Sequence, residues 1–183
     1  MDKTIEQYNE AVQSCKDIFL KKSRDYGSSW RVLRTISIAD QIFIKAQRIR
    51  TIQQLGKQKI ADDIRDEFIG MVNYALIGLI QLESGNSVIE EISPAEAEKR
   101  FDAAVSHVNK IMLDKNHDYG EAWRDMSQEG FVDLILMKIL RIRQILANEG
   151  KTLISEGIDA NYTDIANYSL FALILIREGK KGK

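Results

Sequence analysis

One cysteine, Cys15, leaves the chain without a disulfide framework or a cysteine-built zinc site. Two histidines, His107 and His117, are too few for a histidine-rich metal centre. A single proline, Pro94, in 183 residues is far fewer than turn-rich all-β domains use. Neither sign of charge dominates: a net charge of −1 sets aside a protein that coats a nucleic-acid polymer, which needs a basic excess. No apolar run approaches the ~18 residues of a membrane span, so no membrane partner is expected. The start, Met1-Asp2-Lys3-Thr4, carries no apolar signal region, and the expected location is the cytoplasm.

What is present is a copy. Asp25-Tyr26-Gly27-Ser28-Ser29-Trp30-Arg31 returns as Asp118-Tyr119-Gly120-Glu121-Ala122-Trp123-Arg124, at a shift of 93. Downstream, Asp40, Ile42, Lys45, Arg48, Ile49 and Arg50 fall on Asp133, Ile135, Lys138, Arg141, Ile142 and Arg143. The matches far exceed the ~1 in 15–20 that chance gives at ordinary residue usage. An internal repeat fixes the architecture first. It also sorts residues: those kept twice and not needed for a core are candidates for chemistry.

The periodicity predicts three helices per copy and an all-α fold. Helix 1 runs from about residue 4 to 25, with Tyr8, Val12, Cys15 and Phe19 inward. Its copy, helix 4, buries Phe101, Val105, Val108 and Met112. It starts with Ser93 as N-cap, Pro94 at N1 and Glu96 closing a capping box. Both helices end at Asp-Tyr-Gly, where Gly27 and Gly120 supply the left-handed position. Helices 2 and 5 span about 38–55 and 131–148, the latter stopped by Gly150. Helices 3 and 6 span about 60–82 and 158–177, and their ends are apolar all round, as central helices are. The expected division is a first repeat over 1–84, a linker over 85–93 and a second repeat over 94–183. Some 90 residues is near the lower limit for a self-sufficient core. The copies are therefore expected to pack about a pseudo-two-fold axis, like a fused homodimer. A homodimer of the whole chain is compatible with this.

Four matched sets are candidate binding residues. Lys45 and Arg48, with Lys138 and Arg141, are spaced by three and share a helix face among inward isoleucines. Such pairs suit a polyphosphate, which arginine binds bidentately. Internal ion pairing explains them equally well, with Asp40 and Asp133 eight residues before the arginines. Acids precede the last helix of each copy: Asp62, Asp63, Asp66 and Glu67, then Glu156, Asp159 and Asp164. Pairs spaced by four converge on a hard cation such as Mg2+; a charged first turn that complements the helix dipole is the plainer reading. Asn73-Tyr74 and Asn167-Tyr168 match at a shift of 94, and an amide in an apolar helix either ties helices together or reads a base or sugar edge. Tyr26/Trp30 and Tyr119/Trp123 either stack on a nucleobase or seal the bundle end. Lys22/Lys115 precede the turn, where a solvated helix-end cation is the ordinary role. Cys15 aligns with Val108 and reads as core filling.

Lys-x-x-Asp-Tyr-Gly-x-x-Trp, then Asp-x4-Lys-x-x-Arg-Ile, then acids leading into Asn-Tyr, resembles a bacterial family of domains of unknown function with single-copy phage relatives. The resemblance spans both copies. More remotely, the pattern is similar to the all-α nucleoside triphosphate pyrophosphatases, the group of MazG and the dimeric dUTPases. That resemblance implies a helical bundle that binds free or modified nucleotides and hydrolyses them with magnesium held by helix carboxylates. The motif falls on Lys22, Asp25, Tyr26, Gly27, Lys45, Arg48, Asp62, Asp66, Asn73 and Tyr74 in the first copy. In the second it falls on Lys115, Asp118, Tyr119, Gly120, Lys138, Arg141, Glu156, Asp164, Asn167 and Tyr168. The single-copy pattern has three acids spaced by four; Gly70 and Ala160 each stand where one is missing. The implied metal ligands are Asp62, Asp66, Glu156 and Asp164. The Glu-x-x-Glu pair of the pyrophosphatases is replaced by the cation pairs. Three functions follow: a Mg2+-dependent nucleotide hydrolase, a nucleotide-binding module without turnover, or a helical interaction protein.

Overall fold

The computed structural model describes residues 2–57, 63–85, 88–153 and 155–179. Among these it forms six α-helices and no strand: α1 (Asp2–Tyr26), α2 (Thr35–Leu55), α3 (Ile64–Ser84), α4 (Pro94–Tyr119), α5 (Gln128–Ala147) and α6 (Ile158–Arg177). No helix among the described residues is long and apolar enough to cross a membrane.

The helix ends follow the sequence logic. Gly27 and Gly120 sit at φ +61° and +63° and stop α1 and α4 at the same motif. Ser93 Oγ accepts the Glu96 N–H at 3.1 Å, while the Glu96 carboxylate turns to Arg100 Nε at 2.9 Å instead of closing the box. After each Asp-Tyr-Gly turn comes a one-turn 3-10 helix, Ser29–Val32 and Ala122–Asp125, which the apolar period did not predict. α2 and α5 begin about three residues earlier than expected and α3 some four later.

α3 packs most extensively on α6; α2 lies on α3, α5 on α6, and α2 on α5. α1 and α4 flank this four-helix centre and each touches both α3 and α6. α6 is buried almost without break from Asn161 to Leu175, as its all-round apolar character requires. The core residues of both copies form one continuous cluster. At the centre, α3 approaches α6 at Gly78: a β-carbon there would stand 2.8 Å from the ring of buried Tyr162.

The pseudo-two-fold relation is written in ion pairs. Arg143 reaches Asp40 at 2.9 Å, and the matched Arg50 reaches Asp133 at 3.6 Å. Residue i of one copy meets j of the other, and the reverse, as in an isologous dimer. These acids therefore do not pair with Arg48 and Arg141. The linker is not symmetric. It docks on the first copy's turn, where the Ile92 N–H donates to Ser28 Oγ at 2.8 Å and the Val88 N–H to the Arg31 carbonyl at 3.1 Å. Glu91 comes so close to Gly27 that a β-carbon would stand 2.6 Å from its carboxylate.

Candidate functional site

Four separate stretches of the first copy converge on one cavity of about 740 Å³. The last turns of α1 bring Lys22 and Tyr26, which share a face at a spacing of four. The Gly27 turn lets the 3-10 helix drop Trp30 half-buried against Phe19, with ring centroids 6.2 Å apart. α2 brings Lys45. α3 brings Asp66, Glu67, Gly70, Asn73, Tyr74 and Ile77, one stripe at spacings of three and four. Two other cavities, of about 630 Å³ along α1 and about 620 Å³ between residues 33–36 and 143–147, gather none of the candidate residues.

The tyrosine and tryptophan of the motif part company. Trp123 is buried and stacks on Phe171 at 4.3 Å, sealing the bundle end, while Trp30 is half-buried and lines the cavity. Tyr26 and Tyr119 stand out, 68% and 77% exposed. Only Tyr26 of the two lines the cavity just described.

The asparagines tie helices together. Asn73 Nδ2 donates to the Cys15 carbonyl at 3.0 Å, and Asn167 Nδ2 to the Val108 carbonyl at 3.2 Å. These bonds are equivalent in the repeat. The amide oxygens differ. Asn167 Oδ1 accepts from Tyr8 Oη at 2.8 Å; the counterpart of Tyr8 is Phe101, which has no hydroxyl. Asn73 Oδ1 is buried with no hydrogen-bond partner, beside the cavity.

The cations and acids differ most. In the first copy Lys45 and Arg48 converge on Glu67, at 3.7 and 3.1 Å. Lys45 lies across Gly70, where a β-carbon would meet its Cε at 2.8 Å and its Nζ at 3.1 Å. Its Nζ is also 6.0 Å from the centre of the Tyr74 ring. Arg48 does not line the cavity. In the second copy Lys138 and Lys115 hold the two carboxylate oxygens of Asp164, each at 2.8 Å. Lys138 and Asp164 are buried; the Lys115 side chain is half-exposed. Partial burial opposes the Lys115 charge, but the hydrogen bond and charge of Asp164 outweigh it and raise its pKa. Arg141 is exposed, with its guanidinium 3.7 Å from Met137 Sδ. Burial and then the Asp164 charge raise the Tyr168 pKa.

The acids expected to hold a metal stand in unlike surroundings where they are described. Asp62 lies outside the described residues. Asp66 is exposed at the cavity, and its neighbour Glu67 is neutralised by two cations. Asp164 spends both oxygens on lysines, and Glu156 is exposed. Among the described residues no three acid, histidine or cysteine side chains gather as metal ligands. In the second copy Asp164 is committed to the two lysines, whereas in the first Asp66 stays exposed at the cavity.

Sequence reasoning considered Glu67 only as one of the acids that could meet a cation, gave Gly70 no binding role, and passed over the apolar floor of Phe19 and Ile77. The signal for Gly70 was there: it aligns with Asp164 at the shift of 94 while both flanking lysines are kept.

No curated protein and no solved structure gave a significant match. A family profile described as nucleotide modification associated domain 1 matches residues 22–82 and again residues 115–176. The two matches start 93 residues apart and end 94 apart, the register of the repeat. They span well over half of the chain, which therefore belongs to the nucleotide modification associated domain 1 family and carries its domain twice.

Proposed function

We propose that this protein binds a nucleotide, and that it does so in the cavity of the first copy without hydrolysing it. The observation that carries the reading is convergence. Lys22, Tyr26, Lys45, Asn73 and Tyr74, singled out because they repeat, line one cavity from three helices. Its volume lies within the ~300–1,000 Å³ of small-molecule sites. It pairs aromatic and apolar walls with two ammonium groups, the combination that suits a base and its phosphate. The family description points to nucleotides as the ligand class. Hydrolysis has less support, because of the two acids that line the cavity Glu67 is clasped by Lys45 and Arg48, which leaves Asp66.

The test is a panel of nucleosides and their mono-, di- and triphosphates, with and without magnesium. Melting temperature and phosphate or pyrophosphate release are read on the same samples. A bound nucleotide at a hundred times its Kd stabilises by about 2.7 kcal/mol, a readily measured shift. The expected result is a shift without release, lost in Lys22→Ala/Lys45→Ala. Release that survives rigorous purification would favour the hydrolase. No shift with any nucleotide at millimolar concentration would overturn the proposal.

A further inference from the structure

The second copy carries its own anion between the two motif lysines. Asp164 presents Oδ1 to Lys115 and Oδ2 to Lys138, each at 2.8 Å. The counterparts of those lysines are Lys22 and Lys45, and the counterpart of Asp164 is Gly70. All three line the first copy's cavity. The first copy thus keeps both cations and lacks the carboxylate. From this we infer that the first copy binds a phosphate group of its ligand between Lys22 and Lys45, over Gly70, where the second copy has the Asp164 carboxylate. This rests on the reading of that cavity as the nucleotide site, and it locates the phosphate within it.

The local geometry allows the exchange. Phosphate, like carboxylate, offers several oxygens that accept charge-assisted bonds from ammonium groups. Glycine at 70 leaves room for the Lys45 stem, which lies directly over it, so an anion enters that place as Lys45 swings its ammonium toward Lys22. The hold of Glu67 on Lys45 is loose, at 3.7 Å, and Arg48 neutralises the same carboxylate at 3.1 Å. Lys45 is free to turn to an incoming phosphate without stranding Glu67.

The second copy is then a self-liganded form of the same site. Asp164 takes the phosphate position. Phe171 stands where the first copy has Ile77 and stacks on Trp123, and buried Asn116 stands where it has Ser23. One ligand per chain follows, not two.

The experiment places the carboxylate of the second copy into the first. Gly70→Asp is titrated calorimetrically beside the wild type with a nucleotide, its nucleoside and inorganic pyrophosphate. Circular dichroism and the melting temperature verify the fold. In the wild type, stoichiometry is one and the nucleotide binds more tightly than the nucleoside by about tenfold or more, the effect of a charge-assisted bond. In Gly70→Asp that advantage is lost. Lys22→Gln, at an exposed position, loses it too, and adding Gly70→Asp to Lys22→Gln lowers nucleotide affinity little further. If no nucleotide binds but pyrophosphate stabilises the wild type and not Gly70→Asp, the phosphate site stands and the nucleotide reading falls. If Gly70→Asp binds nucleotide as the wild type does, or two ligands bind per chain, the inference is overturned while the nucleotide reading survives.

Discussion

Replacing Gly78 by alanine sets two known effects against each other at the centre of the molecule. Alanine in place of glycine inside a helix is favourable by about 0.8–1 kcal/mol. At Gly78 the new methyl would stand 2.8 Å from Cε2 and Cζ of Tyr162, inside van der Waals contact. The obstacle is rigid: Tyr162 is fully buried and its hydroxyl donates to the Thr35 carbonyl at 3.1 Å. Overpacking of this kind costs about 1–3 kcal/mol. Because the ring has no open space to move into, the cost belongs toward the upper end of that range. The net expectation is a loss of roughly 1–2 kcal/mol, which lowers the Tm by about 2–8 °C for a chain of this size.

Urea melts of four proteins test the reasoning: wild type, Gly78→Ala, Tyr162→Leu and the double variant. Tyr162→Leu destabilises on its own, through lost burial and the lost hydroxyl bond. In that background the ring is gone, and Gly78→Ala becomes neutral or stabilising by up to about 1 kcal/mol, the helix term alone. The sign change is the signature of a direct contact between the copies. If Gly78→Ala stabilises the wild type, or has the same effect in both backgrounds, α3 and α6 do not cross at this point and the pseudo-two-fold packing described above is wrong.

Asp164→Ala leaves buried Lys138 without its carboxylate, and denaturant melts are expected to show a loss of about 3–5 kcal/mol, the cost of stranding a buried charge. Arg48→Lys loosens the clasp on Glu67 and lowers the Tm, but leaves nucleotide affinity within about twofold, because bidentate geometry matters only where the guanidinium meets the ligand. Burial pushes the Cys15 thiol up to about 12, so iodoacetamide at pH 8 leaves the folded protein unlabelled and modifies it in urea. Burial opposes the Glu121 charge, yet the hydrogen bonds from Thr4 and Arg124 outweigh it and lower its folded pKa. Its stabilisation is therefore full above the ordinary value of 4.5 and lost as pH falls through the folded one; the Tm gap between wild type and Glu121→Gln closes in that acid range.

The fold was legible because it rests on local rules. Glycine at positive φ ends α1 and α4, Ser93 caps α4, and all-round apolar stretches become the central helices. The repeat then gave the pairing of copies without any three-dimensional information. The partners of the charges were less legible. Spacing says which residues share a helix face, not which helix the face meets. Asp40 and Asp133 are eight residues from Arg48 and Arg141 in sequence, yet they pair with arginines of the opposite copy. The one-turn 3-10 helices were missed because four residues carry no readable period. Asp66 and Glu67 illustrate the same limit: neighbours in the chain, they point to different surroundings. Both line the cavity, but one is exposed and the other is clasped by Lys45 and Arg48.

Fusion of two copies is what permits position 70 and position 164 to differ. In a homodimer of identical chains, every substitution appears twice, and a carboxylate that fills one site fills both. Here a single core spans both copies, so stability gained in one serves the other. In the second copy Asp164 is held between two lysines, and Trp123 stacks on Phe171. Gly70 costs its helix about 1 kcal/mol relative to alanine, a local weakness that the shared core absorbs. The same glycine lets Lys45 lie across α3 at the cavity wall. The asymmetry therefore has a thermodynamic direction: the stabilising charge cluster is in the half proposed to be closed, and the helix-weakening residue is in the half proposed to bind. Swapping the two residues, Gly70→Asp with Asp164→Gly, moves the carboxylate from one copy to the other and is the sharpest form of that claim.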